Sequence, residues 1–125
     1  MKAEELRIGN YVNYNDGSDH DDIRQIVGID RNSVMSIVKG CLFATAIRSN
    51  DLIYPIPLSE SILLKCGFKK DKDSPWLLCN GMLVLNTGNH NIWEYGQSVI
   101  KEIKYLHTLQ NVFFALHQRE MEVSL

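Results

Sequence analysis

The sequence lacks the cysteine patterns of a disulfide framework or a zinc site, and it has no excess of charge of one sign. The chain has three cysteines, Cys41, Cys66 and Cys79, with no Cys-x-x-Cys pair and no ligand spacing of a zinc site. Because their sequence neighbours are apolar, we predict reduced, mostly buried thiols and expect no bound metal or cofactor.

The charge balance is close to neutral. Thirteen basic and fifteen acidic residues give a formal net charge of −2, so the whole molecule has no long-range attraction for a polyanion. With 45% hydrophobic and 22% charged residues, the composition is that of an ordinary folded protein. No apolar run has the length of a signal peptide or of a membrane span, and we expect a cytoplasmic protein.

Recognisable catalytic motifs are also missing. The sequence contains no Ser or Cys in a nucleophile turn and no glycine-rich phosphate loop. An enzyme would need His90 or His107 in a closed pocket beside a carboxylate such as Glu94 or Glu102. We therefore predict that the protein is not an enzyme and that it acts by binding or assembly.

The loop 13–22 is rich in acidic side chains, which could bind a divalent cation through their oxygens. A calcium loop has a different spacing, because here Gly17 comes directly after Asp16 and no bidentate glutamate follows at the required distance. We predict a solvated hairpin loop with no metal site.

The front half of the chain consists of short β-rich runs. They cover residues 11–14, 23–29, 34–38, 42–47 and 52–54, and turn-forming residues separate them. Five short strands so close together predict a small, strongly bent β-barrel or roll.

The pattern changes at Pro55 and Pro57, which fix their own φ and favour extended backbone in the residues before them. Ser59 then has the character of a helix N-cap, and Gly67 that of a helix stop. We divide the chain here into a barrel-like module, 1–57, and an α+β module, 58–125, which we expect to share one core.

The second module opens with that short helix and continues with a hairpin. Apolar runs 76–79 and 82–85 flank Asn80-Gly81, the strongest short-range hairpin signal. Residues 69–75 are predicted to form a solvated turn, and 92–95 a third antiparallel strand. The overall prediction is an α+β protein.

A C-terminal amphipathic helix completes the predicted fold. Its apolar residues recur at helical spacing, at Tyr105, Leu109, Val112 and Leu116, and Leu106 and Phe113 widen this stripe. His107, Gln110 and Asn111 share the polar face. This face is either a partner-recognition surface or one that hydrogen-bonds to a neighbouring loop or to water.

Nucleic-acid binding is the alternative function. Strand aromatics such as Tyr11 would stack on bases if they were exposed beside basic residues. The arginines available are Arg7, Arg24, Arg31 and Arg48, and they would have to converge on one face. The candidate binding residues from both hypotheses are His107, Gln110, Asn111, Tyr11, Arg7 and Arg24.

Three blocks of sequence, in the same order, resemble a family of small uncharacterised proteins from phages, prophages and mobile elements of gut bacteria. The blocks are 6–12, 55–68 without its middle residues 61–63, and 103–116. The front module also resembles small barrels of the Src-homology or transcription-factor type. The family resemblance supplies no activity and no site residues, and the barrel resemblance implies a binding module. The near-neutral charge, the strand-rich pattern and the lack of catalytic motifs predict a non-enzymatic accessory protein that binds another protein or itself, through sheet edges or the polar face of the last helix.

Overall fold

The computed structural model describes residues 1, 3–17, 22–31, 33–38, 41, 43–47 and 52–125. By their internal contacts these residues form two compact units. The first comprises Met1–Pro57 together with Tyr105–Asn111, and the second comprises Leu58–Lys104 together with Val112–Leu125. Four of the ten residues of the predicted acidic loop 13–22, residues 18–21, lie outside the described part of the chain, and residues 13, 14 and 22 belong to strands, a correction to the predicted bounds.

The first unit is built on a five-stranded antiparallel sheet in the order β4-β3-β2-β1-β5, curled into half a barrel. This confirms the α+β class and the strand-rich front half. A short 3₁₀ turn, Ala3–Glu5, precedes the sheet. The strands are β1 Tyr11–Tyr14, β2 Asp22–Ile29, β3 Val34–Val38, β4 Thr45–Ile47 and β5 Ile53–Tyr54.

Alternation of side chains along these strands creates the core of the first unit, because every second residue points inward. A β-bulge after Ile26 bends the longest strand, since the pairing with β3 shifts between Ile26 and Gly28. A Cβ on Gly28 would lie 3.3 Å from Cβ of Met35, so the close approach favours glycine. The buried cluster consists of Leu6, Val12, Ile26, Val34, Ile47 and Ile53.

The second unit contains a helix and another five-stranded antiparallel sheet, in the order β10-β9-β8-β7-β6. The helix, α1, covers Glu60–Lys65. The strands are β6 Lys69–Lys70, β7 Leu77–Asn80, β8 Leu83–Asn86, β9 Ile92–Tyr95 and β10 Ser98–Val99. Because β6 and β7 pair, the predicted turn 69–75 begins with a strand, a correction to the sequence prediction.

Helix α1 begins and ends where its sequence predicts. The Ser59 hydroxyl accepts a hydrogen bond from the backbone N–H of Ile62 at 3.2 Å. After the helix, Gly67 adopts a φ of 86°, and the N–H of Phe68 donates to the carbonyl of Leu63 at 3.1 Å. The left-handed glycine and this backward bond together terminate the helix.

The predicted hairpin is present, but its turn is displaced by one residue. Asn80 pairs with Leu83, so Gly81 and Met82 occupy the two loop positions instead of Asn80 and Gly81. Gly81 has a φ of 63°, as the first loop position of a glycine-led tight turn requires. Asn80 is used elsewhere, because its side-chain amide donates to the carbonyl of Cys66 at 2.9 Å.

The long helix, α2, covers Leu106–His117, with its first six residues in the first unit and the rest in the second. Leu109 of the predicted stripe is buried, as are Leu106 and Phe113, which widen it. Tyr105 was wrongly included, because it precedes the helix and is exposed. None of the helices found among the described residues is long and apolar enough to span a membrane.

The prediction that the cysteines are mostly buried is only partly right. Cys66 is buried, and burial raises the pKa of its thiol to about 11. Cys41 is exposed, although its backbone N–H donates to the carbonyl of Val38 at 2.9 Å. Cys79 keeps partial exposure because it alternates with buried Leu78 and therefore occupies the opposite face of the sheet.

Loss of the N-cap of α1 should be measurable. We expect Ser59→Ala to lower the free energy of unfolding by about 1 kcal/mol, because the Ile62 N–H loses its side-chain acceptor. Ser61→Ala, at an exposed position inside the same helix, is the matched control and should be neutral or slightly stabilising. Urea unfolding of both variants measures the difference, and equal losses would contradict the assigned cap.

Candidate functional site

Gln110 lies on the predicted polar face of α2, yet its side chain is only 2% exposed. Its Oε1 accepts a hydrogen bond from the backbone N–H of Tyr11 at 2.8 Å, and its Nε2 donates to the carbonyl of Gly9 at 3.0 Å. Gly9 has a φ of 101°, so the chain turns here before β1 begins. One side-chain amide therefore satisfies both a donor and an acceptor of the turn before the sheet.

Asn111 extends this network. Its Oδ1 accepts hydrogen bonds from Nδ2 of Asn10 at 2.8 Å and from Nε of Arg7 at 3.1 Å. Asn10 is fully buried, and its own Oδ1 accepts from the backbone N–H of Arg7 at 2.7 Å. The Arg7 guanidinium also donates to the carbonyl of Gln110. We call the side chains of Arg7, Asn10, Gln110 and Asn111 the polar clamp.

Arg24 lies elsewhere in the first unit, with a different set of partners. Its guanidinium stacks over the ring of Tyr14 at 4.0 Å and donates to Oγ1 of Thr45 at 2.9 Å. The carboxylate of Asp22 lies 3.6 Å away. None of these residues belongs to the polar clamp, so Arg7 and Arg24 are not combined in a single described cluster.

His107 is buried at the start of α2 and stacks on the ring of Tyr105. Its Nδ1 has no hydrogen-bond partner among the described residues. Burial lowers the pKa of His107, and the nearby Glu5 carboxylate partly opposes that shift. The ring is therefore held neutral inside the first unit.

The structure thus brings together four of the six candidate binding residues, Arg7, Tyr11, Gln110 and Asn111, but does so within the fold. Of the two alternatives for the polar face, the contacts match the helix that hydrogen-bonds to a neighbouring loop. A buried amide already holding two backbone groups is not available to a partner. The open binding surfaces have to be sought elsewhere.

The second unit contains a cleft of about 390 Å³. Its floor is apolar, and most of its side chains come from α1 and from the face of the sheet that packs against it. The floor consists of Leu58, Leu63, Leu78, Leu85, Trp93 and Ile103. This volume is within the range of sites that hold small molecules or peptide segments.

Polar side chains surround this floor. Ser59, Glu60, Thr87, Asn91, Glu102 and Lys104 form the rim. The hydroxyls of Ser59 and Thr87 already have hydrogen-bond partners within the protein. Ser59 caps α1, and Thr87 donates to the carbonyl of Trp76 at 2.7 Å. Glu60 pairs with Lys70 at 2.6 Å. Asn91, Glu102 and Lys104 have no side-chain partner among the described residues and remain available to a ligand.

The loop between β8 and β9 fixes one side of the rim. His90 and Asn91 both adopt left-handed backbone, with φ values of 53° and 56°. Such consecutive non-glycine residues are unusual and are retained where the surrounding structure holds them. A Cβ on Gly88 would lie 2.9 Å from the ring of Trp76, so glycine lets this loop lie directly against the indole.

The cleft does not contain the histidine that the enzyme hypothesis requires. Glu102 is on the rim, but neither His90 nor His107 is among the residues that line it. In the described part of the chain, no group of three or more His, Cys, Asp or Glu residues could hold a metal ion.

Sequence reasoning missed the cleft. Asn91 and Lys104 carried no signal beyond their positions in a turn and in an extended segment. The alternation Glu102-Ile103-Lys104 was the one available hint, because it places Ile103 inward between two outward charges.

Comparison of the chain with family models, with curated proteins and with solved structures finds no match.

The polar clamp should be important for stability. We expect Gln110→Met, which keeps the side-chain length, to lower the free energy of unfolding by about 2 kcal/mol, because the partly buried Tyr11 N–H loses its acceptor. Gln97→Met, at an exposed position whose side chain has no hydrogen bond among the described residues, should stay within about 0.5 kcal/mol of the wild type. Chemical denaturation measures the free energy of unfolding of each variant. A Gln110→Met variant as stable as the wild type would contradict the structural role of the polar clamp.

Stability should also fall in mildly acidic solution because of His107. The unfolded chain takes up a proton on this ring near pH 6.5, whereas the lowered pKa keeps the folded ring neutral to a lower pH. The unfolded state then binds more protons, so the free energy of unfolding decreases as pH falls from about 7 towards 5.

The variant His107→Gln tests this contribution. Urea unfolding at several pH values should give a weaker pH dependence than the wild type shows, whereas His90→Gln, at an exposed site, should retain the wild-type slope. Identical slopes for the wild type and His107→Gln would contradict the buried, neutral histidine.

Proposed function

We propose that this protein is a non-enzymatic accessory protein of a phage or mobile element, and that it works in the cytoplasm by binding another protein. The observation that supports this most is the cleft of the second unit. It combines an apolar floor with rim groups that are free to hydrogen-bond. In this proposal a partner inserts an apolar side chain while its backbone contacts the rim.

Peptide binding suits the chemistry of the rim. The amide of Asn91 can both donate to and accept from a peptide backbone. Glu102 and Lys104 lie on either side of Ile103 in sequence and present opposite charges to the same occupant. Mixed charges of this kind favour orientation and specificity over general attraction.

Nucleic-acid binding receives less support. Arg7 is engaged by the polar clamp, and Arg24 is engaged by Tyr14, Thr45 and Asp22. Arg31 is exposed, and Arg48 lies outside the described residues. The net charge of −2 points the same way.

Blocking the cleft tests the proposal. Peptides selected from a random display library against the wild type should share an aliphatic or aromatic anchor residue. We expect Glu102→Trp, whose indole can fill the cleft from the rim, to weaken their binding at least about tenfold. Titration calorimetry with synthetic peptides gives the affinities.

Lys101→Trp is the matched control, because residue 101 is exposed, adjacent in sequence and not part of the cleft lining. It should bind the selected peptides as the wild type does. Peptides that bind Glu102→Trp and the wild type equally would refute the cleft as the binding site.

A further inference from the structure

The cleft opens where the pairing between β9 and β10 ends. This pairing reaches one residue beyond β10, since the N–H of Ile100 donates to the carbonyl of Trp93 at 2.9 Å. If the same antiparallel register continued, Glu102 would lie opposite Asn91. Both residues line the cleft, yet no backbone hydrogen bond joins them.

The backbone just before β9 explains why the pairing stops. His90 and Asn91 are both left-handed, a conformation that an extended strand does not contain. Strand β9 therefore cannot extend backwards along residues 101–103, which we call the unpaired segment. Left-handed backbone at non-glycine residues is costly, and such residues cluster at ligand-binding sites.

A second hydrogen bond marks the other end of the unpaired segment. The N–H of Leu58 donates to the carbonyl of Lys104 at 3.0 Å. Between this bond and the bond of Ile100, no N–H or carbonyl of the unpaired segment has a hydrogen-bond partner in the described part of the chain. Three residues thus interrupt a stretch of chain that is paired on both sides of them.

The two flanking bonds show where the free groups of Glu102 point. In an extended chain the N–H and the carbonyl of every second residue point to the same side. Ile100 and Lys104 lie two residues before and two residues after Glu102. Their bonds go to Trp93 and Leu58, which both line the cleft. One main-chain donor and one main-chain acceptor of Glu102 therefore face the cleft, beside its apolar floor.

We propose that the partner binds the cleft as an extended peptide whose backbone pairs with the backbone of Glu102. One peptide residue donates its N–H to the carbonyl of Glu102 and accepts from the N–H, as in the hydrogen-bonded pair of an antiparallel sheet. The bonds at Ile100 and Lys104 limit this pairing to the length of the unpaired segment. The inference rests on the proposed function, for which it defines the conformation of the ligand.

Substitutions at residue 102 separate the contribution of the main chain from that of the side chain. Glu102→Ala removes the carboxylate and keeps the N–H, whereas Glu102→Pro removes both. Proline breaks no hydrogen bond of the described structure here, because this N–H has no partner in it. We expect Glu102→Pro to bind the selected peptides at least about tenfold more weakly than Glu102→Ala does. Titration calorimetry gives both affinities.

Lys101→Pro and Lys101→Ala are the matched controls. They make the same changes at the preceding residue, whose N–H points to the opposite side of the chain. These two variants should bind the selected peptides equally well, and urea unfolding shows whether all four variants are folded. Equal affinities of folded Glu102→Pro and Glu102→Ala would overturn the proposal.

Modified peptides provide a second test that leaves the protein unchanged. Single N-methyl groups remove one backbone donor of a selected peptide at a time. We expect N-methylation of the residue paired with Glu102 to weaken binding at least about tenfold, and that of its two sequence neighbours less than about twofold. A peptide that tolerates N-methylation at every position would overturn the pairing.

This proposal and the proposed function fail in different ways. Peptides that lose binding to Glu102→Trp but tolerate both Glu102→Pro and N-methylation would leave the cleft as the binding site and overturn the main-chain pairing. Peptides that bind Glu102→Trp as well as the wild type would refute the cleft, and the main-chain pairing with it.

Discussion

The side-chain amide of Gln110 is the contact on which the arrangement of the first unit depends. The turn at Gly9 leaves the carbonyl of Gly9 and the N–H of Tyr11 partly buried at the start of β1. The carbonyl also accepts a hydrogen bond from Nε2 of Gln25 at 3.3 Å, whereas the N–H is held by Gln110. Buried backbone groups of this kind are costly when they have no partner. An amide supplies a donor and an acceptor from one rigid group, and its helix is held against the turn as a result.

Asn111 repeats the same solution one residue further along α2. Its Oδ1 accepts hydrogen bonds from the side chains of Asn10 and Arg7, and its Nδ2 donates to the carbonyl of Glu5 at 3.3 Å. The side chains that would have given α2 a recognition face are therefore hydrogen-bonded within the first unit, as members of the polar clamp. The surface that stays open to solvent in the second unit is of a different kind: a cleft with an apolar floor.

Sequence reasoning predicts the elements well because their signals are local. Ser59 and Gly67 mark the limits of α1 through capping and a left-handed φ, which depend on a few adjacent residues. Asn80-Gly81 marks the hairpin for the same reason. The one-residue shift of its turn has a longer-range origin, because Asn80 holds the carbonyl of Cys66 at the end of α1.

The site could not be predicted in this way. Helical spacing places Gln110 and Asn111 on one face, but a buried amide and a solvated amide look identical in sequence. Their partners at Gly9 and Asn10 lie about a hundred residues away along the chain. The cleft has the same difficulty, since its rim combines a helix cap, a turn and an extended segment that only the fold brings together.

Amide hydrogen exchange at Tyr11, followed by NMR in the unmodified protein, tests the central claim most directly. We predict that this N–H, held by Gln110, exchanges as slowly as the N–H of Ile26, which donates to the carbonyl of Asn10 at 2.8 Å. Exchange at the rate of an exposed loop would show that Gln110 does not hold this N–H. It would contradict the conclusion that the polar face of α2 is hydrogen-bonded within the fold.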